Sequence, residues 1–217
     1  MKTFVSIGSG PGMGQATAER FAREGFRVIL TSRETAKLAD CVARFRARGY
    51  AVEAKRVDAG KLDSVASVIK DSEAQFGAVD VLHFNSASIQ ETRIETQPAE
   101  SVLADFTINI GAAFVATQQA ARGMVARGSG TILLTGGGLA QHPHPNYLSL
   151  SIGKAGVRNM VYGLFDSFKS RGVHIATVTV GAPITAGSRE THEIAEAFWR
   201  LHASPRDGWV AEAKYPV

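Results

Sequence analysis

Short apolar runs alternate with longer amphipathic stretches along the whole chain. The apolar runs have the length of buried strands and end near glycine or polar residues, while the amphipathic stretches repeat their apolar positions with the period of a helix. We predict strands over Thr3–Ser6, Arg27–Thr31, Ala51–Val57, Asp80–Asn85, Gly130–Thr135, Val173–Val180 and, at one sheet edge, Trp209–Tyr215. We predict helices over Met13–Arg23, Thr35–Arg48, Leu62–Phe76, Pro98–Val125, Tyr147–Ser170 and Ser188–His202.

This alternation of strands and helices predicts one fold class. Strands that are separated by helices pair in parallel through right-handed crossovers. We therefore expect an α/β fold in which a doubly wound, Rossmann-type parallel sheet lies between two helical layers, giving three layers α/β/α. The 217 residues are enough for a single domain, 1–217, with a sizeable core.

Composition and charge argue against several classes of partner. The chain is 45% hydrophobic and 20% charged, and its net charge of +4 comes from scattered basic residues, so nucleic acid is not expected to bind. No uninterrupted apolar run approaches the ~18 residues of a membrane span, and the N-terminus has no signal-peptide layout. Cys41 is the single cysteine, which favours a reducing, cytoplasmic location. No membrane partner and no metal site are predicted.

The first strand runs directly into a glycine-rich turn, and a helix opens near Met13. Glycines let the backbone approach a pyrophosphate closely, and the helix N-terminus then offers N–H groups and a positive dipole end. The alternative is a plain turn between a strand and a helix. We predict dinucleotide contacts at Gly8, Ser9, Gly10, Gly12, Met13 and Gly14.

The order of motifs along nearly the whole chain resembles the short-chain dehydrogenase/reductase family. That family opens with Thr-Gly-x-x-x-Gly-x-Gly, and here Ile7 replaces the threonine while the glycines remain. The resemblance implies an oxidoreductase that binds a nicotinamide cofactor and acts on an unidentified small carbonyl or alcohol substrate. The positions that match the family's later cofactor motifs are Asp58, Ala59, Asn85, Ser86, Ala87, Gly181 and Thr185.

The end of the second strand bears on the choice of cofactor. A carboxylate there would bond the adenosine ribose and repel a 2′-phosphate, but Ser32 takes its place. Arg33 follows with a fork of donors suited to a phosphate. We therefore predict NADP, with NAD as the less favoured cofactor. The alternative is that Arg33 is a surface residue and Glu34 bonds the ribose.

The resemblance also implies a catalytic set of Asn, Ser, Tyr and Lys, which this chain matches only in part. Asn109 and Lys154 stand at the family's positions. Leu150 stands where the tyrosine belongs, and Gly137 stands where the serine belongs. The chain is therefore expected to be an atypical member that keeps its cofactor site and has a modified catalytic centre.

Nearby groups could replace the missing tyrosine. Tyr147, Leu150 and Lys154 are spaced i, i+3, i+7, which predicts one shared helix face and makes Tyr147 a candidate catalytic residue. His142 and His144 are further candidates for an acid. The alternatives are a merely packed or exposed tyrosine and histidines in an exposed, proline-stiffened loop.

Two classes of function remain open from the sequence. One is an NADP-linked oxidoreductase with a modified proton donor, and the other is a cofactor-binding protein without turnover that acts as a sensor or partner subunit. We expect residues 186–204 to cover the substrate, although their helix could equally cover only core. We also expect a homodimer or homotetramer paired through the two long helices, whose apolar positions include Phe106, Phe114, Met160, Leu164, Phe165 and Phe168.

Overall fold

A single sheet of seven parallel strands runs through the computed structural model, which describes residues 1–216. The strand order is β3-β2-β1-β4-β5-β6-β7, so the winding direction reverses between β1 and β4, where sheets of this kind open a crevice at the carboxyl ends of their strands. The strands are β1 Thr3–Ile7, β2 Arg27–Ser32, β3 Val52–Arg56, β4 Val81–Phe84, β5 Gly130–Thr135, β6 Val173–Val180 and β7 Glu212–Tyr215.

Helices cover both faces of this sheet, which confirms the predicted three-layer α/β/α fold. They are α1 Met13–Arg23, α2 Ala39–Ala47, α3 Leu62–Phe76, α4 Ala99–Phe106, α5 Ala112–Arg127, α6 Leu148–Ser170 and α7 Arg189–Ala203. Helices α1, α2 and α7 bury Phe21, Phe45 and Phe198 in one core. Helices α3, α5 and α6 form a second core on the opposite face, with Ile69 and Val161 fully buried.

Several predicted boundaries are wrong in detail. The helix predicted from Thr35 begins as a 3-10 turn over Thr35–Leu38 and becomes α-helical only at Ala39. The long helix predicted from Pro98 is interrupted by a π-helical turn, Thr107–Gly111, between α4 and α5. The last strand is shorter than predicted. Trp209 lies outside it and stacks on the His174 ring.

Helix α6 begins one residue after Tyr147. A 3-10 turn, Pro145–Tyr147, precedes the helix, and Tyr147 has a φ of −130°, outside the helical region. Because α6 begins at Leu148, the spacing i, i+3, i+7 does not place Tyr147 on one helix face with Lys154, and that prediction is wrong. The Ser151 hydroxyl donates to the Tyr147 carbonyl at 2.8 Å and so closes the turn against the helix.

The outer surface of α5 and α6 is apolar, but less so than the sequence predicts. Met160 and Phe168 are buried within the chain's own core, whereas Phe114 is 54% exposed. Between the two helices lies a groove of about 340 Å³, lined in part by Phe114, Leu164 and Arg122. By length and composition alone, the helical stretch Ala99–Arg127 could also cross a membrane, with a mean hydropathy of 1.3. One side of α5 packs in the core of this protein. Helices in protein cores can be equally long and apolar, so this stretch is weak evidence for a membrane span.

Candidate functional site

A cleft of about 380 Å³ lies at the carboxyl ends of the strands, where the winding of the sheet reverses. It brings together many residues that the sequence predicts as cofactor contacts, namely Gly8, Ser9, Gly10, Ser32, Arg33, Asp58, Ala59, Asn85, Ser86 and Ala87. It is also lined by residues that the sequence did not single out, namely Thr31, Val57, Gly60, Ser88 and Ile108, and by Ile7. The predicted contacts Gly12, Met13, Gly14, Lys154, Gly181 and Thr185 lie outside this lining.

Two glycines of the loop are required by close approach of the backbone. Gly8 has a φ of +89°, and a Cβ there would lie 2.6 Å from the backbone nitrogen of Ser86. A Cβ on Gly14 would lie 2.5 Å from the Gly8 carbonyl oxygen, so α1 can start against the loop only with glycine at that position. Helix α1 has Gly12 as its N-cap and receives no capping side chain from the described residues. This arrangement leaves backbone at the cleft and a helix N-terminus beside it.

The Ser9 side chain has a structural partner. Ser9 is 1% exposed, its hydroxyl donates to the Ser6 carbonyl at 3.0 Å, and it accepts a hydrogen bond from the Thr31 backbone at 2.9 Å. These bonds fix the loop to the end of β2. The Ser9 backbone nitrogen also donates to the Thr31 carbonyl at 3.0 Å, so both the hydroxyl and the backbone N–H of Ser9 serve the fold.

The end of β2 presents positive charge to the cleft. Arg33 is exposed and lines the cleft. The Ser32 hydroxyl accepts from the Glu34 backbone at 3.2 Å and so holds the turn. Glu34 is paired with Lys37 at 2.8 Å, and the hydrogen bond from that ammonium lowers the pKa of Glu34. The carboxylate that could have bonded a ribose is thus engaged with a lysine.

Asn85 links the glycine loop to the neighbouring strand. Its amide nitrogen donates to the Gly8 carbonyl at 2.9 Å, and its oxygen accepts from the Thr135 hydroxyl at 2.8 Å. The Lys154 ammonium donates to the Thr135 carbonyl at 2.8 Å. Asn85 and Thr135 therefore connect the loop to the lysine through three short hydrogen bonds.

His83 belongs to the same network, and the sequence analysis missed it. It is fully buried on β4, with Nδ1 3.3 Å from the Ser6 hydroxyl and Nε2 3.4 Å from the Thr135 hydroxyl. Burial lowers the pKa of His83 to about 3, so the ring is neutral at physiological pH. The available signal was a histidine inside the otherwise apolar run Val81–Phe84.

Lys154 lies at the far end of this network. The residue is half-buried, and desolvation of its ammonium lowers its pKa to about 8. A Cβ at Gly137 would lie 3.4 Å from Lys154 Cγ, so the lysine stem runs along this glycine. Leu150, one turn earlier on α6, is 6% exposed and belongs to neither hydrophobic core.

Asp105 and Asn109 fix the loop that follows β4. The Ser88 backbone nitrogen donates to Asn109 Oδ1 at 2.7 Å, and Asn109 Nδ2 donates to the Ser88 carbonyl at 3.1 Å. Asp105 is 1% exposed and accepts from the hydroxyls of Ser88 and Ser149 at 2.6 and 2.7 Å. Asp105 was not predicted, although it stands four residues before Asn109. It joins the loop that lines the cleft to the start of α6.

The other candidates for a proton donor lie on the surface. The Tyr147 hydroxyl donates to Glu91 Oε2 at 3.3 Å, and the negative charge of Glu91 raises the pKa of Tyr147. His142 and His144 are exposed, and the His144 ring lies 5.6 Å from the Tyr147 ring. Within residues 1–216 none of these three side chains is hydrogen-bonded to Lys154.

The segment after β6 lies beside the glycine loop. The Gly181 nitrogen donates to the Tyr215 carbonyl at 2.7 Å, so this amide pairs with β7 instead of pointing to a ligand. Thr185 is exposed, and Ala186 Cα lies 3.9 Å from the position of a Cβ on Gly12. The apolar residues of α7 are buried in the core, so within 186–204 only the stretch before Arg189 remains a predicted cover for substrate.

Known proteins match this chain over most of its length. The sequence profile described as short chain dehydrogenase matches residues 2–195. The cis-4-hydroxycyclohexanecarboxylate dehydrogenase of Sinomonas cyclohexanicum is 32% identical over 189 residues, which cover 84% of this chain and 75% of that protein. A solved short-chain dehydrogenase from Rhodopseudomonas palustris is 25% identical, with a TM-score of 0.92 over 100% of this chain and 98% of the other. A metagenomic short-chain oxidoreductase, solved in complex with NADP, has a TM-score of 0.91 at 21% identity, with the same coverage, and shows the likeness of fold.

Proposed function

The chain belongs to the short-chain dehydrogenase family, and from that premise we propose that it is an NADP(H)-linked oxidoreductase for a carbonyl or alcohol substrate. We further propose that its active site is modified, with Leu150 in place of the family's tyrosine and Gly137 in place of its serine. The observation that carries the cofactor assignment is the cleft at the end of β2, where Arg33 is available and Glu34 is paired with Lys37.

The residues present fit a dinucleotide. Gly8 and Gly14 keep open a backbone cradle that a Cβ would fill, and the N-terminus of α1 lies beside it. Positive charge from a guanidinium suits a 2′-phosphate, because it offers a fork of charge-assisted hydrogen bonds. Asp58 and Ala59 line the cleft at the end of β3, where the family resemblance places the adenine.

In the proposed mechanism, a bound nicotinamide would supply or accept the hydride. Lys154 holds a proton at Nζ and is fixed by Thr135, which places positive charge at the lysine end of the network. Asn109 holds the Ser88 loop, so the wall of the cleft does not depend on a ligand for its shape. We propose that Leu150, which is buried one turn before Lys154 on α6, makes this end of the site apolar.

The proton for the carbonyl oxygen has two proposed sources. With a pKa lowered to about 8, Lys154 can release its proton more readily than an exposed lysine. Tyr147 is the second source, although the negative charge of Glu91, to which it is hydrogen-bonded, raises its pKa. If Tyr147 is the donor, Tyr147→Phe should abolish carbonyl reduction, whereas full activity of Tyr147→Phe, His142→Ala and His144→Ala alike would leave Lys154 as the donor.

The cofactor assignment can be tested by binding alone. Arg33→Ala should weaken NADPH binding about tenfold by calorimetric titration, because one charge-assisted contact is lost, and should leave NADH binding unchanged. Arg46→Ala removes the same charge from an exposed position on α2 outside the cleft lining, and it should change neither affinity. Equal losses for NADPH and NADH in Arg33→Ala would contradict the assignment.

A second function is favoured by a separate observation. Leu150 and Gly137 together would remove both hydroxyls of the family's catalytic set, as expected of a cofactor-binding protein without turnover. The discriminating measurement is NADPH consumption across a panel of carbonyl compounds, beside NADP reduction across alcohols. Tight NADPH binding without any hydride transfer would favour the sensor or partner subunit.

We also propose that the protein pairs through α5 and α6 into a homodimer or homotetramer. The exposed Phe114 and the apolar groove beside it would be covered by a second subunit in a two-fold arrangement. Light scattering at micromolar concentration should show more than a monomer, and a monomer would contradict this proposal.

The single Cys41, which is buried, supports a reducing location such as the cytoplasm.

A further inference from the structure

Two arginines meet at the corner where β2 and β3 end: Arg33 lines the cleft, and Arg56 stands directly before the lining residue Val57. The strands pair in parallel with Ser32 opposite Arg56, and Arg33 is the next residue after β2. Arg56 Nε donates to the Arg33 carbonyl oxygen at 3.2 Å. Both side chains are exposed, so this contact brings a second guanidinium to the place where Arg33 leaves the sheet.

Glu34 and Asp58 closely follow the two arginines in the sequence, but within residues 1–216 neither carboxylate forms an ion pair with them. Across residues 1–216, no ion pair involves Arg33 or Arg56. Glu34 is paired with Lys37, and Asp58 Oδ1 accepts from the Gly60 nitrogen at 3.0 Å. The bond that Arg56 makes uses Nε, so the two terminal amino groups of its guanidinium remain as donors.

We propose that Arg56 is a second anchor for the 2′-phosphate of NADP and therefore a residue that determines cofactor specificity. Arg33 reaches this phosphate from the end of β2, and Arg56 reaches it from the end of β3. A phosphate dianion can accept from two guanidinium groups at once, because each oxygen takes more than one hydrogen bond. The inference rests on the proposed binding of NADP, and it adds a residue that neither the glycine loop nor the end of β2 supplies.

The neighbouring residue on the same strand provides a matched control. Lys55 carries the same charge, but it donates to Gln75 Oε1 at 3.0 Å and lies 5.5 Å from the ring centre of Phe76, on the α3 side of the strand. Lys55→Ala and Arg56→Ala therefore change the net charge equally, and only Arg56→Ala removes donors from the corner.

The test is a calorimetric titration of the full chain with four probes: NADPH, NADH, adenosine 2′,5′-bisphosphate and adenosine 5′-monophosphate. Arg56→Ala should weaken NADPH and the bisphosphate about tenfold and leave the two probes without a 2′-phosphate within twofold. Lys55→Ala should leave all four affinities within twofold. Circular dichroism and thermal unfolding of each variant show whether the fold is intact.

Three results would overturn the proposal. Equal weakening of NADPH and NADH by Arg56→Ala would assign Arg56 a structural role. Unchanged NADPH binding in Arg56→Ala, with a selective loss in Arg33→Ala, would remove Arg56 from the site and leave the proposed function standing. Failure of the unaltered protein to bind either cofactor would overturn the proposed function and this inference together.

Discussion

Two neighbouring regions of the candidate site are built by different means. The glycine-loop region, which comprises Gly8–Gly14 with Ser32, Arg33 and Asp58, relies on backbone that can come close and on exposed charge. The lysine region, which comprises His83, Asn85, Thr135, Gly137 and Lys154, relies on side chains that hydrogen-bond to one another and to backbone carbonyls inside the protein. The first region leaves space for a ligand. The second region holds its polar groups in place through hydrogen bonds inside the protein.

This difference teaches where each region can change. An exposed arginine can be removed with little effect on folding, because water replaces the lost contact. A buried member of the lysine region leaves its partner unsatisfied when it is removed, which costs about 1–3 kcal/mol. We therefore expect substitutions in the glycine-loop region to change cofactor affinity or local packing. Substitutions in the lysine region should change turnover and stability.

The largest expected effect comes from restoring hydroxyls to the lysine region. Gly137 has an extended backbone with a φ of −165°, and the three atoms nearest to a Cβ there, at 3.4–3.6 Å, belong to the flexible stem of Lys154, so a serine fits. The double change Leu150→Tyr with Gly137→Ser should raise the rate of carbonyl reduction by up to about 10²–10⁴, the contribution of a positioned general acid. The measurement is the rate of NADPH oxidation across the carbonyl panel.

The matched control for that change is Leu150→Phe with Gly137→Ser, which supplies the ring without its hydroxyl. It should remain as slow as the unaltered protein. If the tyrosine variant is no faster than the phenylalanine variant, Leu150 does not occupy the place of a proton donor, and the proposed modification of the active site is contradicted.

The next largest effect is the pH dependence of stability, which the lysine region should dominate through His83. Its pKa is lowered from 6.5 to about 3 in the folded protein, so the unfolded chain binds a proton below pH 6.5 that the folded protein does not. The contribution of His83 to the free energy of unfolding is therefore fully present above about pH 6.5. It falls by about 1.4 kcal/mol per pH unit as the pH drops toward 3.

His83→Gln keeps a donor and an acceptor at this position but cannot titrate in this range. Urea unfolding between pH 7 and pH 4 should show a pH slope smaller by about one proton than that of the unaltered protein. His202, whose pKa burial lowers to about 4, still contributes its own part of the slope in both proteins. An identical slope for both proteins would show that His83 is not held neutral in the folded state.

The smallest effect compares two glycines within the glycine-loop region. Gly14→Ala should destabilise the protein by about 1–3 kcal/mol, because its Cβ would lie 2.5 Å from the Gly8 carbonyl oxygen and 2.9 Å from Ser9 Cα. A Cβ on Gly10 would have no heavy atom of the described residues within 4 Å apart from its chain neighbours, so Gly10→Ala should leave the thermal midpoint nearly unchanged. Equal midpoints for the two variants would mean that close approach does not determine the start of α1.

Much of the fold could be predicted because its signals are local. The apolar runs predict most of the strands, the alternating stretch Ala51–Val57 predicts β3, and the alternation with helices predicts the parallel, doubly wound order. The errors lie where a local pattern meets a tertiary contact. Tyr147 continues the helical pattern of α6, yet it stands outside the helix in the Pro145–Tyr147 turn. That turn is hydrogen-bonded to a distant segment, because the Thr92 nitrogen donates to the Asn146 carbonyl at 2.8 Å and the Tyr147 hydroxyl donates to Glu91.

The candidate site divides in the same way. The sequence by itself determined the glycine loop, the charge at the end of β2 and the positions of Asn109 and Lys154, because each depends on residue type at a fixed distance along the chain. Only the tertiary structure decided that His83 bonds Ser6, 77 residues away, that Ser149 bonds Asp105, 44 residues away, and that Arg56 joins Arg33 from the next strand. The physical reason is that a buried polar group is defined by the partner that satisfies it, and strand pairing and helix packing bring that partner from a distant part of the chain.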